Sequence, residues 1–195
     1  MIQFNNISQE TPYLVFKDKY EDSLRAKQKN IEAISISSYS PSRNEVNARF
    51  VNLKFVNNKD FIFFSNYKSP KSQEFNQHNQ IIGLLYWSNT NTQIRMKAII
   101  KQTSIEFNKN YFAKRDRKKN ALAIASDQSS PITSYEDLQK NYELSLKNNN
   151  LNECPEYWGG YSFTPYHFEF WEGHESRINK REAYELQNGN WIHSI

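Results

Sequence analysis

Cysteine is almost missing from this chain of 195 residues: Cys154 is the single one, so no internal disulfide can form, and a cytoplasmic location is expected. Met1 to Glu10 shows no basic start followed by an apolar run, so a secretory leader is not expected there. Long apolar runs are lacking as well. The most apolar one, Ile81 to Trp87, falls far below the ~20 residues that cross a bilayer, and no membrane partner is expected. His78, His167, His174 and His193 stand at no metal-ligand spacing with one another or with Cys154, so no metal is expected. No Walker-type glycine loop, dinucleotide glycine fingerprint or Gly-x-Ser-x-Gly elbow is present, which argues against the enzyme classes built on those motifs.

What is abundant is polarity offset by rings. Lys+Arg 25 against Asp+Glu 21 gives a net charge of +4 and a pI near 9.0, enough to attract phosphates without demanding nucleic acid, which is not expected as a partner. The mean hydropathy of −0.86 is low for a folded domain. Aromatics at 15% compensate, because each ring buries a large area, and disorder is not expected for most of the length. No composition break divides the chain, so one domain spanning 1–195 is expected, with Met1 to Thr11 either loose or folded over the site.

Tyr13, Phe16, Tyr20 and Leu24 recur at helical spacing behind Pro12, so a helix is expected over Tyr13 to Lys29. Alternation predicts strands at Ile31 to Ser38 and Val46 to Phe55, joined through Ser40-Pro41-Ser42, then at Phe61 to Phe64, Ile81 to Trp87 and Ile94 to Gln102. Ser69 to His78 suits a short helix. Phe107 to Ala125 reads as helix across much of its length, and Ser134 to Lys147 as another, capped by Ser134 with Asp137 three residues on. Tyr166 to Glu172 and Asn190 to Ser194 return to strand. Six or so strands with three helices suit a mainly β fold, a closed or split antiparallel, Greek-key-like barrel with peripheral helices.

Several clusters of residues carry chemistry. In Arg49-Phe50-Val51-Asn52-Leu53-Lys54 alternate residues share a strand face, so a cation can stand on each side. Phe64-Ser65 precedes Ser69-Pro70-Lys71, and Gln93 and Gln128-Ser129 follow. Tyr111, Arg115 and Lys119 fall at i, i+4 and i+8, one sector of a helix that could grip a phosphate. Two of the five glycines stand together in Trp158-Gly159-Gly160-Tyr161, where close backbone approach or positive φ would need them. Glu169-Phe170-Trp171 then reads as a strand with an inward aromatic, ahead of Arg177-Ile178-Asn179-Lys180-Arg181.

In combination these motifs resemble the pyridoxine/pyridoxamine 5′-phosphate oxidase family of FMN-binding split-barrel proteins, from about Tyr13 to the C-terminus. The resemblance implies FMN held by Arg49, Phe50, Val51, Asn52, Leu53, Lys54, Phe64, Ser65, Lys71, Gln93, Gln128, Ser129, Trp171 and Arg181. It implies a phosphorylated B6 vitamer bound by Lys54, Tyr111, Arg115, Lys119, Arg177 and Asn179, with Arg177 and Asn179 catalytic. It further implies a homodimer with shared active sites, and oxidation to pyridoxal 5′-phosphate by molecular oxygen with release of hydrogen peroxide.

Four positions depart from the family pattern: Pro70 for arginine, Lys119 for serine, Asn179 for histidine and Lys180 for aspartate. An amide cannot gain or lose a proton near neutral pH as imidazole can. Two alternatives therefore stay open: a related FMN-dependent oxidoreductase acting on another small molecule, and a non-enzymatic flavin- or B6-phosphate-binding protein.

Overall fold

The structure, a computed structural model, describes residues 1–126 and 134–195. Its strands are β1 (Gln3–Asn5), β2 (Ala33–Ser40), β3 (Glu45–Asn57), β4 (Asp60–Asn66), β5 (Gln80–Trp87), β6 (Thr92–Gln102), β7 (Trp158–Glu172), β8 (Lys180–Gln187) and β9 (Asn190–Ser194). The helices are α1 (Thr11–Arg25), α2 (Pro70–Gln77), α3 (Ile105–Lys114), α4 (Arg117–Ala125) and α5 (Tyr135–Asn148).

Strands pair in the order β1-β3-β2-β5-β6-β7-β8-β9, and β4 pairs with both β3 and β7. That double pairing closes β3, β2, β5, β6, β7 and β4 into a barrel, with β3 joined to β4 only between Leu53 and Asn57, and β8 and β9 branch off the second half of β7. The antiparallel expectation holds except for β1, which runs parallel to β3. Gln3–Asn5 is therefore tied into the sheet rather than loose.

Four of the hairpin turns rest on asparagine in the left-handed region: Asn44, Asn58, Asn91 and Asn188 have φ of 53°, 52°, 47° and 49°. Asparagine tolerates that region because its short amide bonds locally to the backbone, so part of the chain's polarity is turn chemistry. Inside the barrel the filling is mostly rings. Phe16 of α1 meets Phe61 edge-on at 4.9 Å, and Phe61 stacks on Phe163 at 5.3 Å. Tyr13 and Phe168 lie edge-to-face at 5.1 Å, so α1 plugs one end of the barrel with the residues its helical spacing singled out.

Several expectations need correction. The first helix ends at Arg25 rather than Lys29, because Lys27 turns left-handed at φ 58°. The long helix over Phe107 to Ala125 is two. Arg115 is extended, with ψ 153°, and the Asp116 carboxylate accepts the Lys119 N–H at 3.0 Å, capping a new helix. A local Asx cap competes with helix continuation and wins here. Strand β7 begins at Trp158 rather than Tyr166, and β8 is an extra strand whose charged sequence carries little apolar alternation. Ser134 caps α5 as expected, accepting from the Asp137 N–H at 3.0 Å. There are nine strands and five helices among the described residues; β1 and β8 were not expected, and the helix over Phe107 to Ala125 divides into α3 and α4.

Because Phe61 touches α1, β4 and β7 at once, Phe61→Ala is expected to cost about 3–5 kcal/mol. Urea denaturation would measure it, and a loss below about 1 kcal/mol would show that the barrel interior collapses around the gap without penalty.

Candidate functional site

The site is assembled on three pieces of scaffold. The first is a cavity of about 350 Å³ between β3, β4 and the α3–α4 corner, lined by Asn52, Lys54, Phe64, Tyr111, Lys114, Arg115, Asp116 and Lys119. A bulge between Leu53 and Phe55 sets Lys54 toward it. One wall is aromatic: Phe64 stacks on Tyr111 at 4.0 Å and on Trp158 at 5.0 Å. The Arg115 guanidinium lies over the Trp158 ring at 5.2 Å and donates to Asn120 Oδ1 at 2.9 Å, so it is held before any ligand arrives. Asn120 is itself anchored by donating to the Phe112 and Leu151 carbonyls, both at 2.8 Å.

The electrostatics of this cavity are one-sided. Among the described residues, Lys54, Lys114, Arg115 and Lys119 enter no salt bridge. Burial pushes the Lys54 ammonium below its ordinary value; Glu32 opposes this, while Lys119 and Arg115 add to it. Burial likewise lowers Arg115 and raises the Tyr111 hydroxyl. Crowded, partly desolvated cations beside a free phenol form a receptor for a compact anion such as a phosphate.

The second piece is the junction of β3 with α2. Arg49 Nη2 bonds the nearly buried Glu74 carboxylate at 2.7 Å, and its Nη1 donates to Ser38 Oγ at 2.5 Å and the Ile36 carbonyl at 3.3 Å. Asn47 Nδ2 donates to the other Glu74 oxygen at 3.0 Å. Lys71 stands on the first turn of α2 and donates to Ser69 Oγ at 3.0 Å. Burial lowers its ammonium, Arg49 adds to the effect and Glu74 offsets part of it. Two cations beside a helix N-terminus form a second anion-binding arrangement.

The third piece is a row across β6, β7 and β8. The strand register places Gln93 opposite Trp171, and Trp171 opposite Arg181. Glu169, one pleat along from Trp171 and only 8% exposed, accepts from Arg95 at 2.8 and 3.2 Å and from Arg181 at 2.8 and 2.5 Å. Burial alone would raise this carboxyl, but the two arginines outweigh it and hold it below the usual carboxylate value. An amide, an indole and a guanidinium in one row suit a flat heteroaromatic ligand with polar edges.

Other sequence-assigned residues fall out differently. Leu53 is fully buried, so its side chain belongs to the core and only its backbone can meet a ligand. Phe50 points the opposite way and is 76% exposed. Val51 is half-buried and packs against the core, Ser65 is buried, and Trp171 is half-buried rather than inward. Arg177 sits in the loop after β7 with a left-handed φ of 61°, its N–H bonded to the His174 carbonyl at 2.9 Å. Asn179 Oδ1 accepts the His174 N–H at 3.1 Å, so this amide braces its own loop. Gln128 and Ser129 lie outside the described residues. Gly159 is packed so that a Cβ would overlap the Tyr67 hydroxyl, which is the close approach its sequence context required. Glu74, Glu169 and Asn120 were missed, because nothing in sequence marks a carboxylate or amide as the partner of a distant arginine.

Residues 158–195 match the family model for the pyridoxine 5′-phosphate oxidase C-terminal dimerisation region. The chain is 33% identical to pyridoxine/pyridoxamine 5′-phosphate oxidase 1 of Hydrogenovibrio crunogenus over 184 residues, 93% of this chain and 84% of that protein. It is 31% identical to the pyridoxine/pyridoxamine 5′-phosphate oxidase of Colwellia psychrerythraea over 188 residues, 95% and 86% of the two chains. PhzG from Burkholderia lata 383, solved in complex with tetrahydrophenazine-1-carboxylic acid, shares the fold at a TM-score of 0.89 and 22% identity, covering 95% of this chain and 91% of its own. A pyridoxamine 5′-phosphate oxidase-related, FMN-binding protein from Nostoc punctiforme PCC 73102 shares it at a TM-score of 0.78 and 12% identity, covering 94% and 96%. The fold is that of the FMN-binding split barrels, as the motifs had implied. No helix among the described residues is long and apolar enough to cross a membrane.

Because the arginines hold the ionised form of Glu169, its stabilising contribution is present above the ordinary carboxylate range and lost as pH falls through its depressed value. Glu169→Gln is expected to flatten the acid limb of stability measured by urea melts from about pH 7 to about pH 3. An acid limb identical to wild type would contradict the role given to this carboxylate.

Proposed function

Since the chain belongs to the pyridoxine/pyridoxamine 5′-phosphate oxidase family, an oxidoreductase family, we propose that it uses FMN and molecular oxygen to oxidise pyridoxine or pyridoxamine 5′-phosphate to pyridoxal 5′-phosphate. The observation that carries this reading is the cationic cavity walled by Phe64, Tyr111 and Trp158, which offers a phosphate receptor beside an aromatic surface.

The residues present fit FMN. Arg49, Lys71 and the α2 N-terminus have the chemistry to hold its phosphate, while Gln93, Trp171 and Arg181 offer an amide, a ring and a guanidinium to its flat part. Bound there, FMN would supply the two-electron redox chemistry by which the substrate's exocyclic carbon is oxidised and oxygen reduced to hydrogen peroxide. Among the described residues no hydrogen bond, salt bridge or ring contact joins the Arg49–Lys71 cluster to the Gln93–Trp171–Arg181 row. We assign the two groups to the two halves of one flavin site, united in a homodimer in which each copy completes the other's site. The match of residues 158–195 to a dimerisation region supports that assembly.

In this scheme Tyr111, Arg115, Lys119 and Lys54 hold the substrate phosphate, and Arg115 arrives preorganised by Asn120 and Trp158. Arg177 reaches over the substrate from a loop whose left-handed residue stores backbone strain of the kind found at functional sites. A second reading keeps the flavin and changes the substrate. It is favoured by Asn179, whose amide oxygen already serves the loop and which cannot relay a proton.

The deciding experiment is an aerobic assay of purified protein. Flavin absorbance, and peroxide release on adding pyridoxine or pyridoxamine 5′-phosphate but not unphosphorylated pyridoxine, are expected. Peroxide formation only with unrelated compounds would move the assignment to the second reading. Arg177→Ala and Arg115→Ala are each expected to lower kcat/KM by about 10- to 100-fold, the worth of a charge-assisted contact, with FMN affinity nearly unchanged. Equal loss of turnover and flavin binding would contradict the division into substrate and cofactor residues.

A further inference from the structure

The cavity is lined by four cations, Lys54, Lys114, Arg115 and Lys119, against one carboxylate among the described residues. That carboxylate, Asp116, already accepts the Lys119 N–H as the cap of α4. Arg115 is pinned by Asn120 and Trp158 and cannot swing away. Lys54 projects from the β3 bulge, half-buried, with Glu32 as its countercharge on the β2 side. Lys114 comes from the last turn of α3, and Tyr111 faces the same space with an unionised hydroxyl. Lys119 brings the remaining cation, from the exposed first turn of α4, with no salt bridge among the described residues and near enough to Lys54 to lower its ammonium. A hydroxyl would bond a monoanion and a dianion alike, whereas an ammonium gains with each added ligand charge.

The geometry points to Lys119 as the specificity-determining residue that makes this cavity select a tetrahedral dianion over a monoanion of the same shape. The inference rests on reading the cavity as the substrate's phosphate site, and it deepens that reading by naming the ligand's charge state. A phosphate monoester carries its second charge only above about pH 6, so selection of this kind favours neutral over acidic conditions for ligand capture. Phosphodiesters, and substrates whose phosphate is replaced by a singly charged group, would be discriminated against.

Sulfate and methanesulfonate separate charge from shape, being tetrahedral anions of charge −2 and −1. Isothermal titration of FMN-saturated protein with each is expected to show sulfate binding at least about tenfold more tightly, the scale of one additional charge-assisted contact. Lys119→Ser is expected to lose about tenfold for sulfate and far less for methanesulfonate, and Lys119→Arg to restore the preference. An unchanged ratio in Lys119→Ser, with the variant melting like wild type, would overturn the inference, as would wild-type protein that does not distinguish the two anions. Flavin binding is read separately from visible absorbance. Colourless protein that still shows the Lys119-dependent preference would defeat the flavin reading and leave this assignment standing.

Discussion

Strand β4 bonds β3 along one side and β7 along the other, and that double pairing is the constraint from which the site follows. It forces β3 to present Lys54 toward the α3–α4 corner, brings Phe64 of β4 beside Trp158 at the start of β7, and leaves the far half of β7 free to pair with β8. A sheet left open at β4 would scatter these groups along two edges. Closure also seals an interior filled by Phe16, Phe61, Phe163 and Phe168, whose burial offsets the low average hydropathy of the chain.

Charge is handled in two opposite ways on this scaffold. At the α2 junction and on the β6–β7–β8 row, a nearly buried carboxylate holds an arginine: Glu74 for Arg49, and Glu169 for Arg95 and Arg181. Such pairs fix side-chain direction, since a guanidinium fork bonded on one flank is left with only its remaining donors for a ligand. In the α3–α4 cavity no carboxylate among the described residues plays that part. Arg115 is oriented there by an amide and an indole, both neutral, so the positive potential is kept for whatever anion enters. In the proposed function, this distinction separates residues that shape a cofactor surface from residues that capture a small charged group.

Much of the architecture was legible in the chain. Tyr13, Phe16 and Tyr20 at helical spacing, the alternation in β3 and β6, and the Ser134 cap each reflect a local rule that needs no distant partner. What escaped was of another kind. The break at Arg115 and Asp116 hinges on a side chain bonding its own backbone, a contest that helical pattern does not reveal. Strand β8, with its charged Lys180-Arg181-Glu182, exists because β7 offers it an edge, and its residues have little strand character of their own. Leu53 lies within a motif of ligand-facing residues and yet belongs to the core, because the pleat turns it inward.

The amino-acid order alone determined which side chains could bind an anionic, flat ligand, since arginine forks, tryptophan faces and paired glycines have fixed chemistry wherever they fall. It also determined the helix and strand periods, because these depend on neighbours a few residues away. Only the tertiary structure decided which of those groups meet. Tyr111, Arg115 and Lys119 share a cavity although the helical chain breaks between α3 and α4 at Arg115, and Gln93, Trp171 and Arg181 share a row despite separations that no local rule spans. Convergence across such distances is set by strand register and barrel closure, which arise from the summed burial of the whole interior and are written in no single stretch of sequence.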